Sequence, residues 1–268
     1  MNLSGKVIVV TGGTGVLGYS FNKAIVAAGG SVCILGRKGD TAEARAAELT
    51  AEGGRAIGIA CDVLNESDLR RANERILSEF GKIDGLVNAA GGNQPGAVVQ
   101  PEGDLFALDM GALEAVLQLN LFGSLLPTQV FGQSMRDTSE AASIVNISSV
   151  SARTAVTKVL GYSMAKAAIE SYTKWMAVEL GRRFGGRIRI NAIMPGFFLT
   201  EQNRSLLTQP DGSLTDRGQK VVGKTPLNRF GRPEELSAAL VYLLSDASSF
   251  VMGSSLEVDG GFTMFSGV

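Results

Sequence analysis

From end to end the sequence alternates short β-branched runs with longer amphipathic stretches, and that alternation leaves few architectures open. Residues 7–10, 32–35, 56–60, 85–87, 144–147, 188–193 and 256–258 read as strands. Helices are expected to begin near Gly15, Asp40, Asn65, Met110, Val159 and Pro233. Asp40 with Glu43, and Asn65 with Asp68, offer N-cap chemistry, while Pro233 suits a first helical turn. Strands that alternate with helices build a parallel sheet. The expectation is therefore α/β: a single Rossmann-type, doubly wound parallel sheet of seven strands with helices on both faces. With 268 residues, 45% of them hydrophobic, the chain is long enough for one such domain with a complete core over 1–268.

Two connections are longer than the sheet needs. Residues 91–109 and 200–231 both follow strand ends, where ligands bind in sheets of this kind, and they are expected to form substrate loops and a lid. The alternative is oligomer contacts or passive excursions. A net charge of −1 without a basic stretch argues against nucleic acid or an anionic membrane as partner and for a small molecule. The start, MNLSGKVIVV, has no charged-then-apolar leader, and no run approaches the roughly 18 apolar residues of a membrane span; a cytoplasmic protein is expected. Cys33 and Cys61 fall in or just after buried strands and read as core residues rather than a disulfide. The chain has no histidine, which removes Ser-His and Cys-His mechanisms and, with two cysteines, nearly every zinc site. No metal is expected, and any proton transfer must use Tyr, Lys, Asp or Glu.

Three constellations carry chemistry. In YSMAK, Tyr162 and Lys166 lie one helical turn apart, so phenol and ammonium share a face. A free tyrosine titrates near pH 10, so shuttling a proton near neutrality requires a shift of roughly 2 to 3 units, about 3 to 4 kcal/mol, much of which Lys166 could supply. Second, TGGTGVLG follows a strand and opens a helix, with glycines 13, 15 and 18 in G-x-G-x-x-G spacing. Such a loop lets a pyrophosphate approach the N–H groups of a helix N-terminus. A phosphate loop of the NTPase type would need lysine where Tyr19 stands. Third, the second strand ends LGRKGD: Gly36 occupies the place of an acidic ribose ligand, and Arg37 and Lys38 follow, which favours a 2′-phosphate, hence NADP over NAD. Arg37 stacked on adenine beside a solvated Lys38 is the competing reading.

Together these residues resemble the short-chain dehydrogenase/reductase family along the whole chain, through VDGG near the C-terminus. The resemblance implies catalytic roles for Asn120 in LNLFG, Ser149 in NISSV, Tyr162 and Lys166, the serine standing thirteen residues before the tyrosine. Tyr162 would be the acid or base, Lys166 would lower its pKa and hold the nicotinamide ribose, Ser149 would bond the reacting oxygen, and Asn120 would hold a helix bend and a water feeding Lys166. It also implies cofactor contacts from Gly12, Thr14, Gly15, Leu17 and Gly18, from Asp62 and Val63, from Asn88, Ala89, Ala90 and Gly91, and from Pro195, Gly196, Phe198 and Thr200. One departure is that the second glycine comes at Gly15, where the best-known branch has it at the position of Val16.

A finer likeness points to the substrate. NLFGSLLPTQVF, PGFFLTEQNRSLL, DGSLTDRG and VDGGFTMFSGV are similar to the branch of mannonate oxidoreductases, also called fructuronate reductases, which tends to carry an aspartate at the position of Gly36. Candidates for binding a sugar acid are Asn93, Gln94, Arg153, Lys158, Gln202, Asn203 and Arg204, each of which also reads as an ordinary surface residue. The expected activity is NAD(P)-dependent hydride transfer between the nicotinamide and a secondary alcohol or ketone, D-mannonate or D-fructuronate. A 3-oxoacyl carrier-protein reductase is the alternative among enzymes, and a dinucleotide-sensing regulator the alternative outside them. The family resemblance further implies a homotetramer built through the last helix and strand.

Overall fold

The structure is a computed structural model and describes residues 1–100, 102–200 and 203–266. Seven strands, β1 (Val7–Thr11), β2 (Ser31–Gly36), β3 (Arg55–Ala60), β4 (Gly85–Asn88), β5 (Ala142–Ile147), β6 (Ile188–Pro195) and β7 (Ser255–Val258), form one sheet in the order β3-β2-β1-β4-β5-β6-β7. Every pairing is parallel. Each expected strand is present, longer by one or two residues at one or both ends. The order reverses between β1 and β4, and a crevice opens at the carboxyl ends of those two strands.

The helices are α1 (Val16–Ala27), α2 (Gly39–Ala51), α3 (Glu66–Phe80), α4 (Met110–Leu117), α5 (Gly123–Thr138), α6 (Leu160–Phe184), α7 (Arg204–Leu207), α8 (Asp216–Lys224) and α9 (Pro233–Leu244). They cover both faces because strand side chains alternate. Ile8 and Val10 pack with Phe21 and Ile25 of α1 and with Leu236 and Leu240 of α9. Val7 and Val9 pack on the other face with Leu69 and Ile76 of α3 and with Phe131 and Met135 of α5. Burying each such side chain stabilises the fold by about 1.5–3 kcal/mol, and emptying the fully buried Phe131 site with alanine costs about 3–5 kcal/mol.

Helix starts follow local chemistry, with one correction. The Asn65 carboxamide oxygen accepts the N–H groups of Ser67 and Asp68 at 3.0 and 3.3 Å and caps α3. At α9 the Glu235 carboxylate accepts the Arg232 N–H at 2.8 Å. Asp40, however, does not cap α2: Lys38 is the N-cap, without a side-chain bond, and Asp40 sits inside the first turn, where its charge still suits the helix dipole.

Two features escaped the sequence reading. The second long connection carries α7 and α8, anchored by the buried Leu207 and Val221. The helical run Met110–Thr138 is also long and apolar enough by composition, with a mean hydropathy of 1.2, to cross a membrane. It contradicts the expectation that nothing approaches a span, because its apolar residues are interspersed with polar ones rather than contiguous. In the fold, Val116, Val130, Phe131 and Met135 of this run are buried, the last three in the core that covers the sheet. Cys33 and Cys61 are free and buried, and burial pushes both thiols up.

Candidate active site

The crevice is built from the ends of β1, β4, β5 and β6. The Thr11 hydroxyl oxygen accepts the N–H groups of Ala89 and Ala90, both at 3.1 Å, and so ties the end of β1 to the turn after β4. Gly12 has φ of +63°, and a Cβ there would lie 2.8 Å from the Ala90 Cα, while a Cβ on Gly18 would run into the Gly12 carbonyl. Glycine is what allows loop, turn and helix to approach this closely. Asn22, fully buried, donates to the Gly13 carbonyl at 2.8 Å and braces the loop; nothing in its spacing marked it. Gly15 caps α1 without a side-chain bond, its own N–H donates to the Gly12 carbonyl at 3.1 Å, and the first turn holds no acid, so the N–H groups that open α1 are left for an anion. These features fit the pyrophosphate of a dinucleotide.

Around that loop, the other expected cofactor positions are spread over several strand ends. Leu17, Ala89, Gly91, Pro195, Gly196, Phe198 and Thr200 line the crevice. Asp62 and Val63 follow β3; the Asp62 carboxylate accepts the Leu64 N–H at 3.0 Å, and its own N–H donates to Asp68 at 3.0 Å. Arg37 and Lys38 are exposed at the end of β2. The Asn88 amide donates to Thr128 at 3.0 Å and Asn146 at 2.9 Å, so its side chain is a buried tie between core elements, which leaves the backbone of this position for a cofactor contact.

The catalytic candidates converge on the same floor. Ser149, just beyond β5, accepts the N–H and hydroxyl of Ser151 at 3.2 and 3.1 Å, and it hydrogen-bonds Tyr162. Lys166 is 3% exposed, donates to the Ile147 carbonyl at 2.8 Å, and lies 5.3 Å from the Tyr162 ring centroid. Asn120, fully buried in a single π-turn between α4 and α5, donates to the carbonyls of Val116 at 2.8 Å and Gly92 at 2.6 Å and accepts the Gly92 N–H at 3.0 Å. It therefore fixes the first long loop to the helix bend, a use of π geometry common at functional sites.

The electrostatics correct one expectation. Burial lowers Lys166 to about 8. Burial also raises Tyr162, and the Ser149 bond opposes that without reversing it. The Lys166 ammonium itself is committed to the Ile147 carbonyl and lies 5.3 Å from the centre of the phenol ring.

The crevice encloses about 590 Å³. Asn93 and Gln94 line it from the first long loop, and Asn203 from the second. The Asn203 amide is already bridging the loop, accepting the Thr200 N–H and donating to the Phe198 carbonyl, both at 2.8 Å. Three other candidates are not on the wall. Arg153 pairs with Glu170 at 2.9 Å and with Glu257, so its charge is spent clamping the serine turn to α6 and β7. Lys158 has φ of +76°, and its carbonyl accepts the Val99 N–H at 3.0 Å, a turn that carries its side chain off the cleft wall. Arg204 opens α7 facing solvent. Gln202 lies outside the described residues. The sequence reading missed Gln100, Ser205 and Arg217, which do line the crevice; Arg217 lies inside DGSLTDRG, but only the location of α8 shows which way that run faces.

A parallel sheet with a glycine loop and a Ser–Tyr–Lys set on one crevice defines a dinucleotide-dependent oxidoreductase, and the comparisons with known proteins agree. The family model described as enoyl-(acyl carrier protein) reductase matches residues 15–263. The chain belongs to the short-chain dehydrogenase/reductase family and is an enzyme acting on CH–OH groups. An uncharacterized oxidoreductase of Bacillus subtilis, UxuB, is 42% identical over 100% of this chain and 98% of its own. A Haemophilus influenzae protein provisionally named a D-mannonate oxidoreductase, solved with bound NAD, superposes with a TM-score of 0.91 at 40% identity, covering 100% of this chain and 98% of its own. A gluconate 5-dehydrogenase of Burkholderia cenocepacia, solved with NADP and tartrate, superposes with a TM-score of 0.86 at 30% identity, covering 98% and 97%.

Proposed function

We propose that the enzyme reduces D-fructuronate to D-mannonate with NADPH, or NADH at lower efficiency, as a cytosolic homotetramer. The observation that carries the reading is the crevice wall: Asn93, Gln94, Gln100, Ser151 and Ser205 line the same crevice as Ser149 and Tyr162, and among the described residues no carboxylate lines it. Such a wall suits a polyhydroxylated anion. The likeness to the Haemophilus influenzae protein supports it. The glycine loop and α1 would hold the pyrophosphate, and Gly36, Arg37 and Lys38 would admit a 2′-phosphate.

The chemistry follows from the residues. Ser149 donates its hydroxyl proton to the substrate carbonyl, since Ser151 already occupies its acceptor side. Tyr162 transfers its phenolic proton to that oxygen as negative charge develops there. A bound nicotinamide supplies the hydride to the carbonyl carbon. Lys166, titrating near 8, is poised to return a proton toward Tyr162.

A second reading, reduction of a 3-oxoacyl thioester, is favoured by the apolar part of the same wall, Val98, Val156, Phe197 and Leu206. A panel of hexuronates, aldonates and acetoacetyl-CoA followed by nicotinamide absorbance decides between them. Higher kcat/KM for the thioester than for every sugar acid would overturn the first reading.

A further inference from the structure

Among the described residues, only two charged side chains line the crevice, and both are cations: Lys166 and Arg217. Lys166 is buried at the floor beside Tyr162. Arg217 belongs to the first turn of α8, in the second long connection, and none of the described ion pairs engages it. Its Nη1 donates to the Thr157 hydroxyl and its Nη2 to the Thr157 carbonyl, both at 3.2 Å. A guanidinium has five N–H groups in a rigid fork. The two bonds to Thr157 use the end of that fork and are made to neutral acceptors, so no carboxylate among the described residues neutralises the positive charge. The edge formed by Nε and the adjacent Nη keeps the paired donors that match a carboxylate.

Resting on the sugar-acid reading and deepening it, we propose that Arg217 is the residue that binds the substrate carboxylate and thereby sets specificity for acids over neutral sugars. Of the cationic candidates read from the sequence, Arg153, Lys158 and Arg204, none lines the crevice. The arrangement calls for a ketone and a carboxylate on different carbons of one substrate: the reacting carbonyl must reach Ser149 and Tyr162, while the acid reaches α8 across the same crevice. In D-fructuronate three hydroxylated carbons separate the two groups. Thr157 is the positioning residue. It orients the guanidinium and joins α8 to the segment between the Ser149 turn and α6, so an acid bound at Arg217 also holds the lid helix against the catalytic side.

D-fructose is the matched neutral probe, since it carries a hydroxymethyl group where D-fructuronate carries the carboxylate. In the enzyme, Arg217→Gln is expected to lower kcat/KM for D-fructuronate about 10- to 100-fold, mainly through KM, and to lower kcat/KM for D-fructose by no more than about twofold. Arg217→Lys should recover part of the loss, because the charge returns without the fork. Thr157→Val, which removes one bond to the guanidinium and leaves its charge, should keep the preference for the acid. Equal losses on both substrates, or Thr157→Val reproducing Arg217→Gln, would show that Arg217 is only a strap and overturn the assignment while the sugar-acid reading stands. An unchanged acid preference in Arg217→Gln would also overturn it. If the wild type reduces D-fructose as well as it reduces D-fructuronate, the sugar-acid reading itself falls, and the Arg217 assignment with it.

Discussion

Tyr162 and Lys166 are where residue-scale physics makes the sharpest demands. Tyr162→Phe removes one hydroxyl from a ring whose packing is otherwise kept, so kcat should fall at least about 100-fold while the dissociation constant for the dinucleotide stays within about twofold. Retention of a tenth of the wild-type kcat would remove Tyr162 from its role. Lys166 leaves a signature in stability. It is held at about 8 in the fold and titrates near 10.4 in an unfolded chain, so between those values the unfolded chain binds more protons. Stability should therefore rise with pH from about 8 toward 10, as the cost of burying the ammonium is relieved. Tyr162 is raised, so above pH 10 the unfolded chain loses its phenolic proton first and the gain reverses. Lys166→Met isolates the first effect: its stability advantage over the wild type in urea midpoints should shrink between pH 7 and pH 10. A difference that stays flat over that range would show that the ammonium is not paying a burial cost. Both residues were legible from YSMAK, because a one-turn spacing is all their placement needs. The direction of the Tyr162 shift was not, since it depends on burial, which raises it more than the Ser149 bond lowers it.

Among the elements, strands and the helices that cover the sheet were readable because apolar periodicity and cap chemistry are local. What was hidden is how connections fold back. α7 and α8 look like a polar loop in sequence, since a four-residue and a nine-residue helix carry too few apolar positions to show a period. Arg217 is hidden for that reason, and Lys158, a candidate four residues before Tyr162, falls outside α6, which starts only at Leu160. The turn joining β2 to α2 gives the element-scale prediction. Gly36 leaves room where an acidic side chain would repel a 2′-phosphate, but a Cβ there would lie 2.7 Å from the Thr14 Cγ2. Gly36→Asp alone should therefore disturb the glycine loop and weaken both cofactors rather than simply exchange them. Coupled to Thr14→Ser, which removes the crowding methyl, it should recover NADH and not NADPH. In the parent, Arg37→Ala should cut kcat/KM for NADPH about tenfold or more and change NADH little, the loss expected for a charge-assisted bond to phosphate. Equal effects on the two cofactors would mean that Arg37 stacks on adenine instead.

Taken whole, the molecule exposes more apolar surface than its enzymology uses, and the exposed residues fall on different parts of the chain. Met164, Trp175 and Val178 are 47, 62 and 54% exposed along α6. Phe250 and Met264 are fully and 71% exposed near the C-terminus, beside β7, which is an edge strand. One self-complementary patch makes a dimer, and a closed tetramer of dihedral symmetry needs at least two. Sedimentation of the intact enzyme should therefore give a mass of four chains. Trp175→Glu places a charge on the α6 face and should leave dimers held through the C-terminal side, whereas Phe250→Glu should leave dimers held through α6. The double variant should sediment as a monomer. Because α6 also carries Tyr162 and Lys166, loss of its partner should loosen the helix that presents them, so Trp175→Glu is expected to lower kcat more than Phe250→Glu does at equal dimer content. A tetramer that survives both substitutions would place its contacts elsewhere on the surface, and equal kcat in the two dimers would show that α6 holds the active site without help from a neighbouring chain.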